Sequence, residues 1–293
     1  MNQNYIFSKD SNREYLFYIA VIPLILYGIY KNSYLLYKGD YITLFNAIKI
    51  ILYPIISTLL GFLVGLFKKD KKPELIKFGI IAGLAAPFDF NMIAYFSIVV
   101  GCLFMVAIIP NRIRINEAAL FICILVLLNR IYNNSIIFNP MEINNTYKFT
   151  LFDLFFGRGA SFLFTSSIFW LLISYICLIF IKTYKKNIFF ISSLVLLFLS
   201  IIYMFITKNF NEGIKILLNG STFFSLIFIA PINESSPSIQ KEIIMYSVLL
   251  GIFTFIFVYL FKIYNGAIIS VLILSIIYRA FDIIKQKKFL KKI

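Results

Sequence analysis

GIIAGLAAPFDF at residues 79–90 and STFFSLIFIAPINESS at 221–236 are one event read twice: an apolar run that stops at Ala-Pro, at Ala86-Pro87 and again at Ala230-Pro231. Proline has no backbone N–H and pushes the residue before it out of the helical region, so a helix ends or breaks there. The echo continues outward in the same order. IAYFSIVVGCLFMV (93–106) and INEAALFICIL (115–125) follow the first break as EIIMYSVLLGIFTFIFV (242–258) and YNGAIISVLIL (264–274) follow the second. Each half therefore has a short apolar segment, a long one, and one that opens on Asn. Interrupted apolar segments in corresponding positions of two halves are the sequence sign of an inverted repeat, with a polar site at its broken helices.

The composition places this pattern in a membrane. Apolar residues make up 61% of the chain and charged residues 14%, against about 25% charged in a soluble domain. The run 50–67 carries no charge until its end and reaches the roughly 18 residues that a span needs. No alternating barrel pattern is present, so helices must satisfy the backbone in lipid. Ten apolar segments are expected: 15–30, 43–67, 78–86, 92–110, 117–128, 161–181, 187–207, 214–230, 243–261 and 265–279. The expected fold is an all-α integral membrane protein of about ten transmembrane helices in two inverted five-helix repeats, with 78–86 and 117–128 as short broken or re-entrant segments. The first repeat covers 1–128, a connecting loop 129–160, and the second repeat with its basic tail 161–293.

A net charge of +15 would suggest nucleic acid in a soluble protein. Here Lys and Arg sit at the ends of apolar segments and act as topology signals, so the partner is the lipid bilayer and no nucleic acid. With ten spans, most basic residues, among them Lys68, Lys69, Lys71, Lys72, Arg112, Arg114, Lys185 and the tail, fall on one side. By the positive-inside rule that side is the cytoplasm and holds both termini, while the loop 129–160 faces outward. An odd number of spans per half then inverts the second half relative to the first. The expected location is the cell membrane, inner or plasma. No cleavable signal peptide is expected, because the run 15–30 lacks a small-residue cleavage site.

Polar groups in or beside apolar segments are costly in lipid and mark function. The candidates are Asp89 and Asn91 after Pro87, Asn116 and Glu117 opening the fifth segment, Asn219 and Ser221 before the eighth, Asn233 to Ser236 after Pro231, and Asn265 opening the tenth. Asp89 pairs with Asn233 and Asn116 with Asn265 across the two halves, and the four are expected near a common pseudo-two-fold axis. Capping of half-helices is the competing role for each. Cys102, Cys123 and Cys177 have no CxxC spacing and the chain has no His, so they read as small apolar residues. No catalytic constellation and no metal site are expected.

GSTFFSLIFIAPINESSP (220–237) and LLGIFTFIFVYLFKIYNGAIISVLILSIIYRAFD (249–282) resemble the family of membrane proteins shared by the Rnf electron-transport complex and the sodium-translocating NADH:quinone reductase. FGIIAGLAAPFDF with NRIRINEAALF resembles that family's third helix and its Asn-Pro-Phe-Asn-Pro-Ala motif, with Asn116 and Ala118 in matching places. FTLFDLFFGRGASFLFTSSIFWLL resembles its Asp-Leu-Phe segment and the Gly-Ser-rich start of its sixth helix.

The resemblance implies a ten-helix subunit that holds flavin, relays electrons between other membrane subunits and couples to ion movement. It also implies FMN on a Thr of the outward loop. No such attachment motif stands between Asn129 and Asp153, which leaves Thr146 and Thr150 as acceptors by position, with Ser161 at the end of a partial likeness. Pro231 and Ile232 stand where the family has Thr and Asp, and Glu117 where it has Pro. The expected ligand is noncovalent FMN or riboflavin, with Asn116 as leading contact and Asn265, Asp89 and Asn233 beside it. A permease component for a small solute or flavin precursor, and a scaffold subunit that has lost its flavin, are the alternatives.

Overall fold

The computed structural model describes residues 15–88, 90–110, 115–131, 150–159, 161–208, 210–232 and 235–290. Among them there are helices and no strands. In chain order they are α1 (Tyr15–Lys38), α2 (Leu44–Phe67), α3 (Lys72–Leu84), α4 (Met92–Ile108), α5 (Glu117–Ile131), α6 (Leu151–Phe156), α7 (Ile168–Ile179), α8 (Lys186–Thr207), α9 (Phe210–Leu217), α10 (Gly220–Ile229), α11 (Gln240–Leu260) and α12 (Gly266–Leu290). Five of the described helices, α1, α2, α8, α11 and the 266–284 part of α12, are long and apolar enough to cross a membrane; α4, the Glu117–Leu128 part of α5, α7 and α10 are apolar but shorter. The chain is a multi-pass membrane protein. Its outer surface agrees: Phe67, Ile93, Ile108, Phe205 and Ile206 are all more than 65% exposed, as lipid-facing residues are.

Small residues set the closest packing. Ser57, Gly61 and Gly65 recur every fourth residue on α2 and face Gly79, Leu75 and Lys72 on α3, with Pro54 against Gly83, in an antiparallel seam. A Cβ on Gly61 would lie 2.5 Å from the Leu75 carbonyl oxygen, and one on Gly79 would lie 2.4 Å from that of Ser57. Between membrane helices the hydrophobic effect offers little, so close backbone approach through small residues supplies the van der Waals contact. Elsewhere α1 packs on α7, α8 on α11, and α5 on α12. One buried cluster runs through both halves, from Leu24, Tyr53 and Leu84 to Phe224, Leu250 and Val271.

Several boundaries differ from the sequence reading. The segment 161–181 is helical only from Ile168, and the described residues 161–167 before it are non-helical. The segment 78–86 belongs to a helix that begins at Lys72 and stops at Leu84. The segment 214–230 is two helices, α9 and α10, parted at Leu218-Asn219. Asn219 accepts the Ser221 N–H and caps α10, which ends one helix and starts another. The stretch 129–160, read as a loop, contains α6, where Thr150 and Asp153 form a reciprocal capping box. Residues 132–149, with Thr146, lie outside the described residues.

Candidate functional site

Both Ala-Pro breaks leave main-chain carbonyls that must find donors in a medium without water. At the first, the Tyr95 hydroxyl donates to the Ala82 carbonyl (2.7 Å), the Tyr53 hydroxyl to Phe90 (3.2 Å), and the Leu163 N–H to Ala86 (3.1 Å). Leu163 belongs to the extended segment before α7, and the Asn32 side-chain amide donates to its carbonyl in turn. At the second break, α10 loosens into a π-helical turn over Ser225–Ile229. The Tyr184 hydroxyl donates to the Ile227 carbonyl (2.9 Å), and the Asn116 side-chain amide donates to Ile229 (2.9 Å) and to the Ser235 hydroxyl (2.9 Å). Each break is therefore closed by a group from the other half of the chain.

Asn116 is fully engaged. Its Oδ1 accepts the Ala119 N–H (2.9 Å), capping α5, and its own N–H donates to Ser275 Oγ on α12 (3.3 Å). It is wholly buried and acts as a brace between α5, α10 and α12. Asn265 stands apart from it. Ser275 lies ten residues along α12 from Asn265, which at about 1.5 Å per residue is roughly 15 Å, so these two asparagines do not share one site. Asn265 is 6% exposed, and its Oδ1 has no hydrogen-bond partner among the described residues. Ser161 is buried and donates to the Phe162 carbonyl (3.3 Å). It lies at the same end of the bundle as Asn219, since Gly220 packs on the Thr165 carbonyl. Asp89 and Asn233 lie outside the described residues.

Beside the second break, at the end of the bundle that holds Lys71 and Lys185, opens a cavity with about 880 Å³ of empty space, part of it continuous with solvent. Phe17, Phe78 and Phe228 form aromatic walls; Ile227, Pro231 and Ile232 of the break form one side; Glu74, Lys77 and Glu117 are its charged lining. The Lys77 ammonium lies 5.9 Å from the centroid of the Phe17 ring. Glu117 is 3% exposed. The break is held open toward this space by Tyr184 and by Lys185, whose ammonium donates to the Ser236 carbonyl (3.0 Å) and hydroxyl (2.8 Å).

Glu74, Lys77 and Tyr184 were not singled out in the sequence as site residues. A signal existed: 74, 77, 78 and 81 recur at i, i+3, i+4 and i+7, one face of α3. Two charges on that otherwise apolar face mark it as facing a cavity. Among the described residues no group of three or more His, Cys, Asp and Glu is placed to hold a metal ion.

Compared with known proteins, residues 12–291 match the model of the NQR2, RnfD, RnfE family. No curated protein matches the chain.

Proposed function

We propose a function from the premise that the chain belongs to the NQR2, RnfD, RnfE family: it is a membrane component of an Rnf-like or NADH:quinone reductase-like electron-transport complex, holding a noncovalent flavin and relaying electrons between partner membrane subunits, with coupling to ion movement. The two broken helices belong to inverted five-helix repeats, with both termini cytoplasmic and the cavity opening to the cytoplasm. The observation that carries the reading is that cavity. Its walls, Phe17, Phe78 and Phe228, suit a flat ring, and Lys77 supplies a donor for ring carbonyl oxygens. A bound flavin brings one- and two-electron chemistry of its own. The chain orients the ring between the halves and excludes water from its inner edge.

Asn116 serves this site from behind by fixing the start of α5 and the carbonyl of Ile229. The test is the visible absorbance of the purified chain together with its intact mass. The expected result is isoalloxazine absorbance that leaves on denaturation, with an unmodified mass. A full FMN adduct on Thr146 or Thr150 overturns the noncovalent assignment, and absence of flavin overturns the redox reading. The permease reading rests on the same pair of matched breaks, one in each half of the chain. Uptake of riboflavin into vesicles by the isolated chain would decide for it.

A further inference from the structure

The ionisable and hydroxyl groups of the cavity form a series in depth. Thr183 is exposed at its mouth, Glu74, Lys77 and Tyr184 are half-buried, and Glu117 is buried at its inner end. Glu117 is the first residue of α5, and the brace on Asn116 holds it in place. An acid in the first turn of a helix is favourable through the dipole even when solvent-exposed. Burial at the end of a cavity is not needed for that role and is costly for a charge. Among the described residues, titratable groups near it include Glu74 and Lys77 on α3 and Tyr184 in the α7–α8 turn, which line the same cavity, and the Cys102 thiol on α4.

We propose that Glu117 is the proton donor of this cavity, protonating a ring nitrogen of the bound redox ligand when that ring takes up an electron, with Glu74 and Lys77 returning the proton from water at the mouth. The proposal rests on the reading of the cavity as a flavin site. The electron comes from a one-electron reductant, a reduced centre of a partner protein in the complex. The Glu117 O–H bond breaks, the ring N–H bond forms, and the carboxylate left behind is reprotonated along the depth series. Once the carboxylate has been reprotonated, the added electron is matched by a proton and no net negative charge stays in the membrane interior.

The test uses the full chain in nanodiscs loaded with riboflavin, reduced by a photogenerated one-electron reductant. The anionic and protonated forms of the reduced ring absorb differently, so the protonation rate is read directly on the bound fraction. General acid catalysis contributes about 10²–10⁴-fold. Glu117→Gln is expected to slow protonation by about 10²-fold or more, and Glu117→Asp is expected to keep it within about tenfold of wild type, as retention of a carboxyl group requires. A wild-type protonation rate in E117Q with riboflavin bound overturns the assignment and leaves the flavin reading standing. If wild type binds no riboflavin, both fall. Should E117Q lose riboflavin, Glu74→Gln carries the test: protonation is expected to slow on successive pulses, and an unchanged rate overturns the relay.

Discussion

Gly79→Ala places a methyl group where a Cβ would sit 2.4 Å from the Ser57 carbonyl oxygen, a backbone atom that cannot rotate away. Ordinary contact begins at 3.4 Å, so α2 and α3 must separate by about 1 Å along the seam. Overpacking against a backbone atom falls in the upper part of the usual range, about 2–3 kcal/mol, and the better helix propensity of Ala returns about 1 kcal/mol. The net expectation is destabilisation of about 1–2 kcal/mol. Gly61→Ala meets the Leu75 carbonyl at 2.5 Å and should cost a similar amount. Because one separation of the helices relieves both clashes, the double variant should cost less than the two singles together, by about 0.5 kcal/mol or more. Gly101→Ala is the control: nothing lies within 4 Å of its Cβ position, so it should gain up to about 1 kcal/mol from propensity. Reversible unfolding in mixed SDS micelles, followed by circular dichroism, measures all four. Wild-type stability in G79A, strict additivity of the pair, or a loss in G101A equal to that in G79A would refute the close-packed seam.

Asn116→Ala removes the cap of α5, worth about 1 kcal/mol, and two buried bonds of about 1 kcal/mol each, a total of about 2–4 kcal/mol in the same assay. Asn116→Ser keeps a side-chain acceptor for the Ala119 N–H but not the amide donor to Ile229, and should lose about half as much; equal losses in the two would count against the brace. Asp153 lies outside the helices long and apolar enough to cross a membrane. The Thr150 hydroxyl (2.8 Å) and then the Thr150 N–H (3.2 Å) donate to its carboxylate, and Arg158 lies 3.2 Å away, so its pKa is held below the ordinary carboxylate value. A depressed folded pKa means that the contribution is present above about pH 3.9 and is lost as pH falls through the folded value. Amide-exchange protection of residues 154–157 should fall in that acid range and become pH-independent there in Asp153→Asn; the same acid loss in that variant would refute the capping box.

The breaks were legible because proline acts locally: Ala86-Pro87 and Ala230-Pro231 interrupt helices whatever surrounds them. Segment 161–167 was not. SFLFTSS contains neither Pro nor Gly and continues an apolar run, so hydropathy extends α7 through it. It leaves the helix because the Leu163 N–H finds the Ala86 carbonyl and Asn32 finds Leu163, partners far away in the chain. The site divides in the same way. Asn116 was visible as a polar residue opening an apolar segment, but which of its atoms meet which partners depends on α10 and α12. Glu117 stood beside it in the sequence, yet only its burial at the end of a cavity separates it from an ordinary first-turn acid.

The sequence by itself determined that the chain is helical, membrane-bound and broken at two matched prolines. Hydropathy, charge placement and proline geometry are properties of neighbouring residues, so they can be read in order along the chain. Tertiary structure alone decided that each break takes one of its closing donors from the opposite half, that two glycine-lined helices meet backbone to backbone, and that Glu74, Lys77 and Glu117 line one cavity. Those outcomes rest on buried carbonyls, which in a medium without water take donors from whichever packed helix brings one within reach.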